Sequence, residues 1–374
     1  MSNKKVILSV TNDLTSEQRV HKVCLFLLNL GFDVTLVGRQ RRNSLPLQKQ
    51  PYKAKRMFLF FEKGPLFYAE YNFRLFFYLL FHKADVLVAN DLDTLLANYL
   101  ASKMKGSKLV HDSHEYYTGV PELEGREIAK GIWKRIERRI FPKLISVYTV
   151  NESIAKLYAD EYHVNIKVVR NFPVLVPKNT SPNKTRTELG LPEDKKIILY
   201  QGSVNVDRGL LEAVEAMQYV NGAVLLVVGD GDILQQVKER AKTRAIADKV
   251  IFKKKVPFEE LKAYTLHASL GISLDKDTNI NYRYSLPNKI FDFVHAGVPV
   301  LASPLVEIKK IFSQVTIGEL IDSHDPRHIA DKMNAMLTDV SKINLWKQEL
   351  PKAAAEFCWQ KEESVLKGIY SNII

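Results

Sequence analysis

Short apolar runs alternate with amphipathic stretches along the whole chain. KKVILSV at the start is followed by a segment in which Val20, Val23, Cys24 and Leu27 recur at helical spacing. Thr15 and Gln18 predict a capping box at the start of that helix, and Gly31 predicts its end. DVTLVG, DVLVAN, KLVHDS and ISVYTVN then repeat the theme, with helical segments between several of them. Strands separated by helical segments in this way predict a parallel sheet covered on both faces. The stretch FPVLVPKNTSPNKTRTELGLPED is rich in Pro, Asn, Thr and Lys and reads as a linker. After it the pattern restarts: KKIILYQG echoes KKVILSV, and AVLLVVGDG, KVIFK, LGISLD and VPVLAS follow as strands, with a helix signalled by Pro257 and Glu259.

The expected fold class is therefore α/β, with two doubly wound, Rossmann-like domains in tandem and a cleft where their carboxyl-end crevices face each other. Residues 1–172 form the first domain, 173–194 the linker, 195–350 the second domain, and 351–374 a C-terminal helical segment. Its last helix, around Trp359 to Ile369, is a candidate for packing back on the first domain.

Composition narrows this picture without redirecting it. With 374 residues, 46% of them apolar, the chain can fill two cores. Two cysteines, Cys24 and Cys358, suit a reducing compartment and are expected to be structural. VILSV is too short for a secretory signal, and Glu62, Lys63, Glu70 and Arg74 interrupt the apolar stretch from Phe58 to Phe81, so a cytoplasmic protein without a membrane span is expected. The net charge of +12 is uneven: residues 1–172 carry +10 and residues 173–374 only +2. Such a basic front half suggests attraction to an anionic surface.

Candidate chemistry concentrates in SLPNKIFDFVHAGVPVLAS, Ser285 to Ser303. Pro287 suits the first turn of a helix and Ser285 a cap before it. Lys289 and Asp292, three apart, then share one face near a positive helix end. A phosphate could meet the ammonium and backbone donors there while the carboxylate accepts from a hydroxyl pair. In QGSVNVDRGL, Gly202 and Gly209 permit close backbone approach and Arg208 offers a donor fork to a diphosphate. Gly229 to Asp232, GDGD, is either a nucleotide-facing turn or an ordinary one. Neither a G-x-G-x-x-G motif nor a Walker loop occurs, which argues against a dinucleotide dehydrogenase or a P-loop enzyme. His111, Asp112, His114 and Glu115 cluster at one strand end, with metal ligation as a rival reading, and Arg19, Asp91 and Asp93 are candidates for acceptor or phosphate contact, or for surface salt bridges.

These motifs, in this order, resemble the family-four (group 1) nucleotide-sugar-dependent glycosyltransferases, which are retaining enzymes with the GT-B fold. DLTSEQRVHKVCLFLLNLGFDVTLVGR, ANDLDTLL, HDSHEYYTGVPEL and TVNESIAKLY resemble the acceptor-side domain of that family, and VVRNFPV its crossing segment. The resemblance implies that Arg208 and Lys289 hold the donor diphosphate, with Gly202, Gly229 and Asn288 beside them, and that Asp292 accepts from the ribose diol. It places His114, or alternatively His111, next to the transferring sugar, so that His114, Arg208 and Lys289 are the expected catalytic residues and Arg19, Asp91 and His111 lie on the acceptor side. It further implies a metal-independent transfer in which the donor diphosphate helps deprotonate the acceptor, with no cofactor besides a UDP- or GDP-sugar as donor substrate. Two positions depart from the family pattern: Tyr284 replaces a glutamate, and Ser203 an arginine.

The acceptor implied is a glycan or a polyprenyl-diphosphate-linked sugar, used in surface polysaccharide biosynthesis. Arg126 to Lys143 places Ile128, Ile132, Ile136 and Ile140 at four-residue spacing among basic residues, as an interfacial helix on an anionic membrane would, and Phe67 to Phe81 adds aromatic side chains. The competing reading makes both segments core-facing helices. Two other functions stay open: a nucleotide-sugar epimerase of the same fold, and a basic nucleic-acid-binding protein. The second has charge as its only support, and no nucleic acid is expected as a partner.

Overall fold

The computed structural model describes residues 4–15, 17–44, 46–176 and 184–373, so the part of the linker at 177–183 lies outside the described residues. The chain divides into two compact units, Met1–Asn171 with Glu363–Ile374, and Phe172–Glu362.

In chain order the first unit contains β1 (Lys5–Asp13), α1 (Gln18–Asn29), β2 (Asp33–Gln40), β3 (Lys53–Phe58), α2 (Gly64–Phe81), β4 (Val86–Asn90), α3 (Leu92–Lys105), β5 (Lys108–Ser113), α4 (Glu127–Ile140), β6 (Ser146–Thr149), α5 (Glu152–Tyr162) and β7 (Ile166–Val168). Its seven strands are all parallel, in the order β3-β2-β1-β4-β5-β6-β7. The order reverses between β1 and β4, and that switch point is where a doubly wound sheet opens a crevice at its strand carboxyl ends. Every residue of β4 is buried, as its unbroken apolar run requires. The strand β3, KAKRMF, lies at the sheet edge with its first three residues exposed, and for that reason it has no apolar signature in the sequence.

The second unit contains α6 (Arg186–Leu189), β8 (Lys196–Ser203), α7 (Leu210–Ala216), β9 (Ala223–Asp230), α8 (Leu234–Thr243), β10 (Val250–Lys253), α9 (Phe258–Leu266), β11 (Leu270–Ser273), α10 (Ile280–Arg283), α11 (Asn288–His295), β12 (Val300–Ala302), α12 (Val306–Gln314), β13 (Gly318–Leu320), α13 (Pro326–Thr338) and α14 (Val340–Glu356). Its six strands are also parallel, in the order β10-β9-β8-β11-β12-β13, with the switch point between β8 and β11. Ile198, Leu199, Leu225, Leu226 and Ile272 are fully buried at the centre of this sheet. The last helix, α15 (Trp359–Ser371), brings Tyr370 onto Phe26 and Phe32 of the first unit, at ring separations of 6.5 and 6.4 Å.

Several helix boundaries differ from the sequence reading. No capping box forms at Thr15 and Gln18: α1 begins at Gln18 itself, and the Thr15 N–H and hydroxyl both donate to Asp13. Ser285 does not cap α11; its hydroxyl donates to the Tyr282 carbonyl, and Pro287 occupies the N-cap position instead of the first turn. In both places a preceding tight turn competes for the side chain, the usual fate of short hydroxyl groups near a helix start. Gly297 does end α11, at φ +74°. A capping box forms unforeseen within the linker, where Thr185 and Glu188 cap the short α6. Cys24 and Cys358 are both buried free thiols.

The isoleucine stripe of α4 is split: its first two members are exposed and its last is buried. Trp133, Glu137 and Ile140 turn inward, while Ile128 and Ile132 are 84% and 53% exposed. Among the described residues no helix is long and apolar enough to cross a membrane.

Candidate active site

The polar residues singled out in the sequence gather at the two switch points, one cluster in each unit. In the second unit, the last residues of β8 are Tyr200, Gln201, Gly202 and Ser203, and β11 runs into Leu274 and the buried Asp275. Gly209 permits this neighbourhood: a Cβ there would lie 2.1 Å from the Leu274 carbonyl oxygen, so only glycine lets the start of α7 approach the end of β11. Arg208, immediately before it, then reaches Asp275 with a guanidinium N–H at 2.8 Å and lies over the Tyr282 ring, 4.4 Å from its centroid. Its Nε is buried without a partner, and the side chain keeps 26% of its surface exposed.

Lys289, in the first turn of α11, lies over the Tyr200 ring at 4.3 Å from the centroid. Burial pushes the Asp275 carboxyl up, yet Lys289 and then Arg208 outweigh it and hold its pKa below the usual value. Burial and the nearby Arg208 lower the Lys289 ammonium, against the pull of Asp275. Ser273 adds a hydroxyl donor to the same carboxylate at 3.1 Å. Two cations thus share one carboxylate, which leaves a local surplus of positive charge. One turn deeper, Asp292 accepts from the Gln201 amide at 2.9 Å, and Thr265 fixes the other end of that amide at 3.0 Å.

The glycines separate by role. At Gly202, φ is +106° and a Cβ would meet nothing within 4 Å, so a special backbone conformation beside open space is what this position requires. At Gly229 a Cβ would lie 1.9 Å from the Gly202 carbonyl oxygen, so its glycine serves the close pairing of β9 with β8. The GDGD turn packs on the same loop, because Gly231 abuts Asn205 and Val204 and the Asp232 N–H donates to the Asn205 side chain. Asn288 is exposed at the start of α11, Ser203 is exposed at the end of β8, and Tyr284 is partly buried behind α10.

The cluster of the first unit is acidic. His114 follows β5 and sits between two carboxylates, with Nδ1 3.2 Å from Asp91 and Nε2 3.3 Å from Asp112. Asp91 also accepts the His114 backbone N–H at 2.8 Å, from a backbone with φ +58° at the N-cap of α3. Burial disfavours the charged ring, but Asp91 and Asp112 outweigh it and raise His114 to about 9. Burial pushes Asp93 up to about 8, helped by Asp91, against a 2.6 Å hydrogen bond from the Thr11 hydroxyl. Glu17, at the entry to α1, is likewise raised by burial while the charge of His114 opposes the shift.

Arg19 and His111 depart from the acceptor-side roles expected of them. Arg19 makes no surface salt bridge: it is 5% exposed, donates to Asp112 through Nε at 3.0 Å and an NH2 at 2.8 Å, and spends its other arm on the Val169 carbonyl at 2.8 Å. Burial opposes ionisation of Asp112, but Arg19 and then His114 hold its pKa far below the usual range. His111 is fully buried, with Nδ1 3.1 Å from the Ala89 carbonyl and the ring edge-on to Phe141. Burial lowers it to about 4, so the ring is neutral and belongs to the core. The alternation of a strand explains the split, since residues 111 and 112 point to opposite faces. Among the described residues no group of three or more His, Cys, Asp or Glu side chains is arranged to hold a metal ion. Asp275 and Glu17 were missed as site residues; the only signal for either was its place just past a strand end or before a helix.

Known proteins share sequence and fold with this chain. The sequence model described as glycosyl transferases group 1 matches residues 182–352, and the model described as glycosyltransferase family 4 matches residues 16–172. A D-inositol 3-phosphate glycosyltransferase of Xylanimonas cellulosilytica is 23% identical over 74% of this chain and 69% of its own length. An alpha-monoglucosyldiacylglycerol synthase of Streptococcus pneumoniae is 22% identical over 74% of this chain and 65% of its own length. The Anabaena protein HepE, solved in complex with UDP-glucose, superposes with a TM-score of 0.74 at 14% identity, covering 98% of this chain and 99% of that one. With both units matched in order and the fold shared over nearly the full length, the chain belongs to the group 1, family-four glycosyltransferases of the GT-B fold.

Proposed function

We propose that the protein moves a hexosyl group from a nucleoside-diphosphate sugar to a glycan or polyprenyl-diphosphate-linked acceptor with retention of anomeric configuration, in surface polysaccharide biosynthesis. One observation carries the reading: Arg208 and Lys289 share the single carboxylate of Asp275 at the β8/β11 switch point, and Arg208 Nε has no partner. A diphosphate supplies the missing acceptor and the missing negative charge. As the anomeric C–O bond breaks, charge grows on the leaving phosphate oxygens, and cations already in place stabilise that charge more than the ground state. In this reading Gly202 lets the backbone approach the phosphates, Asn288 adds a first-turn N–H, and Asp292, held by Gln201, accepts from the ribose diol. Gly229 shapes the loop from behind.

The first unit is the acceptor side. Flanked by two carboxylates, each facing one ring nitrogen, His114 stays protonated near neutral pH, so it does not act as the base and instead places a positive charge beside the transferring sugar. The leaving diphosphate is then the group that takes the acceptor proton. A UDP-sugar donor is favoured by the HepE complex, with GDP-sugars as the second choice. A lipid-linked acceptor is favoured by the glucosyldiacylglycerol relative and by the basic charge of the first half, which also suit a cytoplasmic enzyme at the membrane periphery.

The test is a screen of UDP- and GDP-sugars by thermal shift, followed by transfer to polyprenyl-diphosphate-linked acceptors and analysis of the product by proton NMR. The expected product carries the donor's anomeric configuration. An inverted product overturns retention, and conversion of the donor without any acceptor assigns an epimerase instead.

A further inference from the structure

One surface of the first unit is left unused by either cluster. The outer face of α2 is an apolar stripe: Leu66, Phe73, Phe77 and Phe81 are 58%, 65%, 40% and 77% exposed. Its inner face is formed by Phe67, Tyr71, Leu75 and Leu79, all buried. A helix covering a sheet needs only one such face to fold, so the second face has no role within the unit. Phe60 and Phe61, in the turn before the helix, extend the stripe at 70% and 46% exposure.

This surface is held in shape. Glu70 accepts the backbone N–H groups of Phe60 and Phe61 at 3.0 Å each and the Arg74 Nε at 2.8 Å, and Arg74 in turn lies over the Phe60 ring. Phe77 contacts Phe73 at 4.8 Å and stacks on Phe81 at 6.2 Å between centroids. The one acid on the helix is therefore consumed in fixing the aromatic turn. Residues 53–83 carry six Lys or Arg against two Glu, and Lys55, Lys63 and Lys83 are exposed at the ends of the stripe. On the inner side Tyr68 meets Trp133 of α4 edge-on at 5.2 Å, so α4 lies beside α2.

We propose that the outer face of α2, with the Phe60–Phe61 turn, docks the first unit on an anionic phospholipid surface. From Leu66 to Phe81 the stripe runs about 22 Å along one helix, a line that can lie flat at the headgroup boundary. Aromatic side chains flanked by cations match that boundary, where rings settle among the acyl carbons and ammonium groups meet lipid phosphates. An exposed aromatic surface of this extent on a folded unit marks an interaction site, and the surrounding positive charge selects an anionic bilayer over a neutral protein groove. The inference deepens the proposed membrane-presented acceptor and rests on that part of the reading alone; no donor residue enters it.

The experiment uses the full chain, floated with phosphatidylcholine vesicles with and without phosphatidylglycerol. Binding to the anionic vesicles is expected, weakening with added salt, and the F73S/F77S/F81S variant is expected to lose about tenfold or more in partitioning. In a second variant, F77W, the new indole emission is expected to shift to the blue on anionic vesicles. The thermal shift with UDP, read in both variants, establishes that the fold is intact. Failure of the wild type to float, or unchanged partitioning of the triple variant, overturns the proposal. So does a concentration-dependent dimer that the triple variant abolishes, which would assign the face to a second copy of the chain. Loss of the UDP shift with vesicle binding intact would sink the donor reading and leave this one standing.

Discussion

Arg19 and Arg208 invite comparison, because each pairs with a fully buried aspartate at the carboxyl end of a parallel sheet. Arg19 gives two donors to Asp112 and a third to a backbone carbonyl, and is 5% exposed. Arg208 gives one donor to Asp275, keeps Nε without a partner, and is 26% exposed over an aromatic ring. The first pair fastens the chain; in the proposed function the second receives the donor diphosphate. The same contrast extends to the clusters, since Glu17, Asp91, Asp93 and Asp112 surround Arg19 and His114, whereas two cations share Asp275. Yet the half of the chain that carries +10 is the one with the acidic cluster. Net charge therefore reported the outer surface of the first unit and not the place where an anion would bind.

The comparison can be broken most directly at the two arginines. Arg19→Ala leaves Asp112 buried with only His114 beside it, and is expected to destabilise the first unit by about 3–5 kcal/mol in urea unfolding, with the UDP thermal shift of the surviving fold retained. Arg208→Ala should reverse the balance: turnover falls by about 10²–10³, a barrier change of about 2.7–4 kcal/mol, while the Ser273 hydroxyl still donates to Asp275, the charge of Lys289 still favours that carboxylate, and the urea midpoint moves little. Equal losses of stability in the two variants would erase the distinction between fastener and receiver.

The smallest expected effect is the pH dependence. His114 has a folded-state value of about 9 against an ordinary 6.5, so its contribution is fully present below 6.5 and is lost as pH rises through 9. Asp93, raised to about 8, has the same sign. In the second unit Asp275 and Lys289 are both shifted down, and neither weakens the fold as pH rises. The first unit should accordingly lose stability between pH 6.5 and 9.5, followed by urea unfolding, and His114→Gln should flatten that slope. A loss of the same size in the variant would place its origin elsewhere.

Strands buried on both faces were legible where burial is met by an apolar run, as in β1, β4, β8 and β9, whereas β5 is buried through His111, Asp112 and Ser113. Of the four edge strands, β10 was legible as KVIFK, while β3, β7 and β13 were not, since they are short or carry charge and exposed positions. In the candidate site, Lys289 and Asp292 were found together because helical spacing ties them locally. His111, inside β5, turns into the core, whereas His114 stands just past the strand end between two carboxylates.

What the sequence alone determined is thus the kind and order of the elements, and through them two doubly wound units, because periodicity and chain breaks act over a few residues at a time. Only the tertiary structure decided the partners. Arg208 meets Asp275 across 67 residues and Arg19 meets Asp112 across 93, separations that no local spacing encodes. Strand order sets which loops share a switch point, and that order follows from how whole apolar surfaces pack.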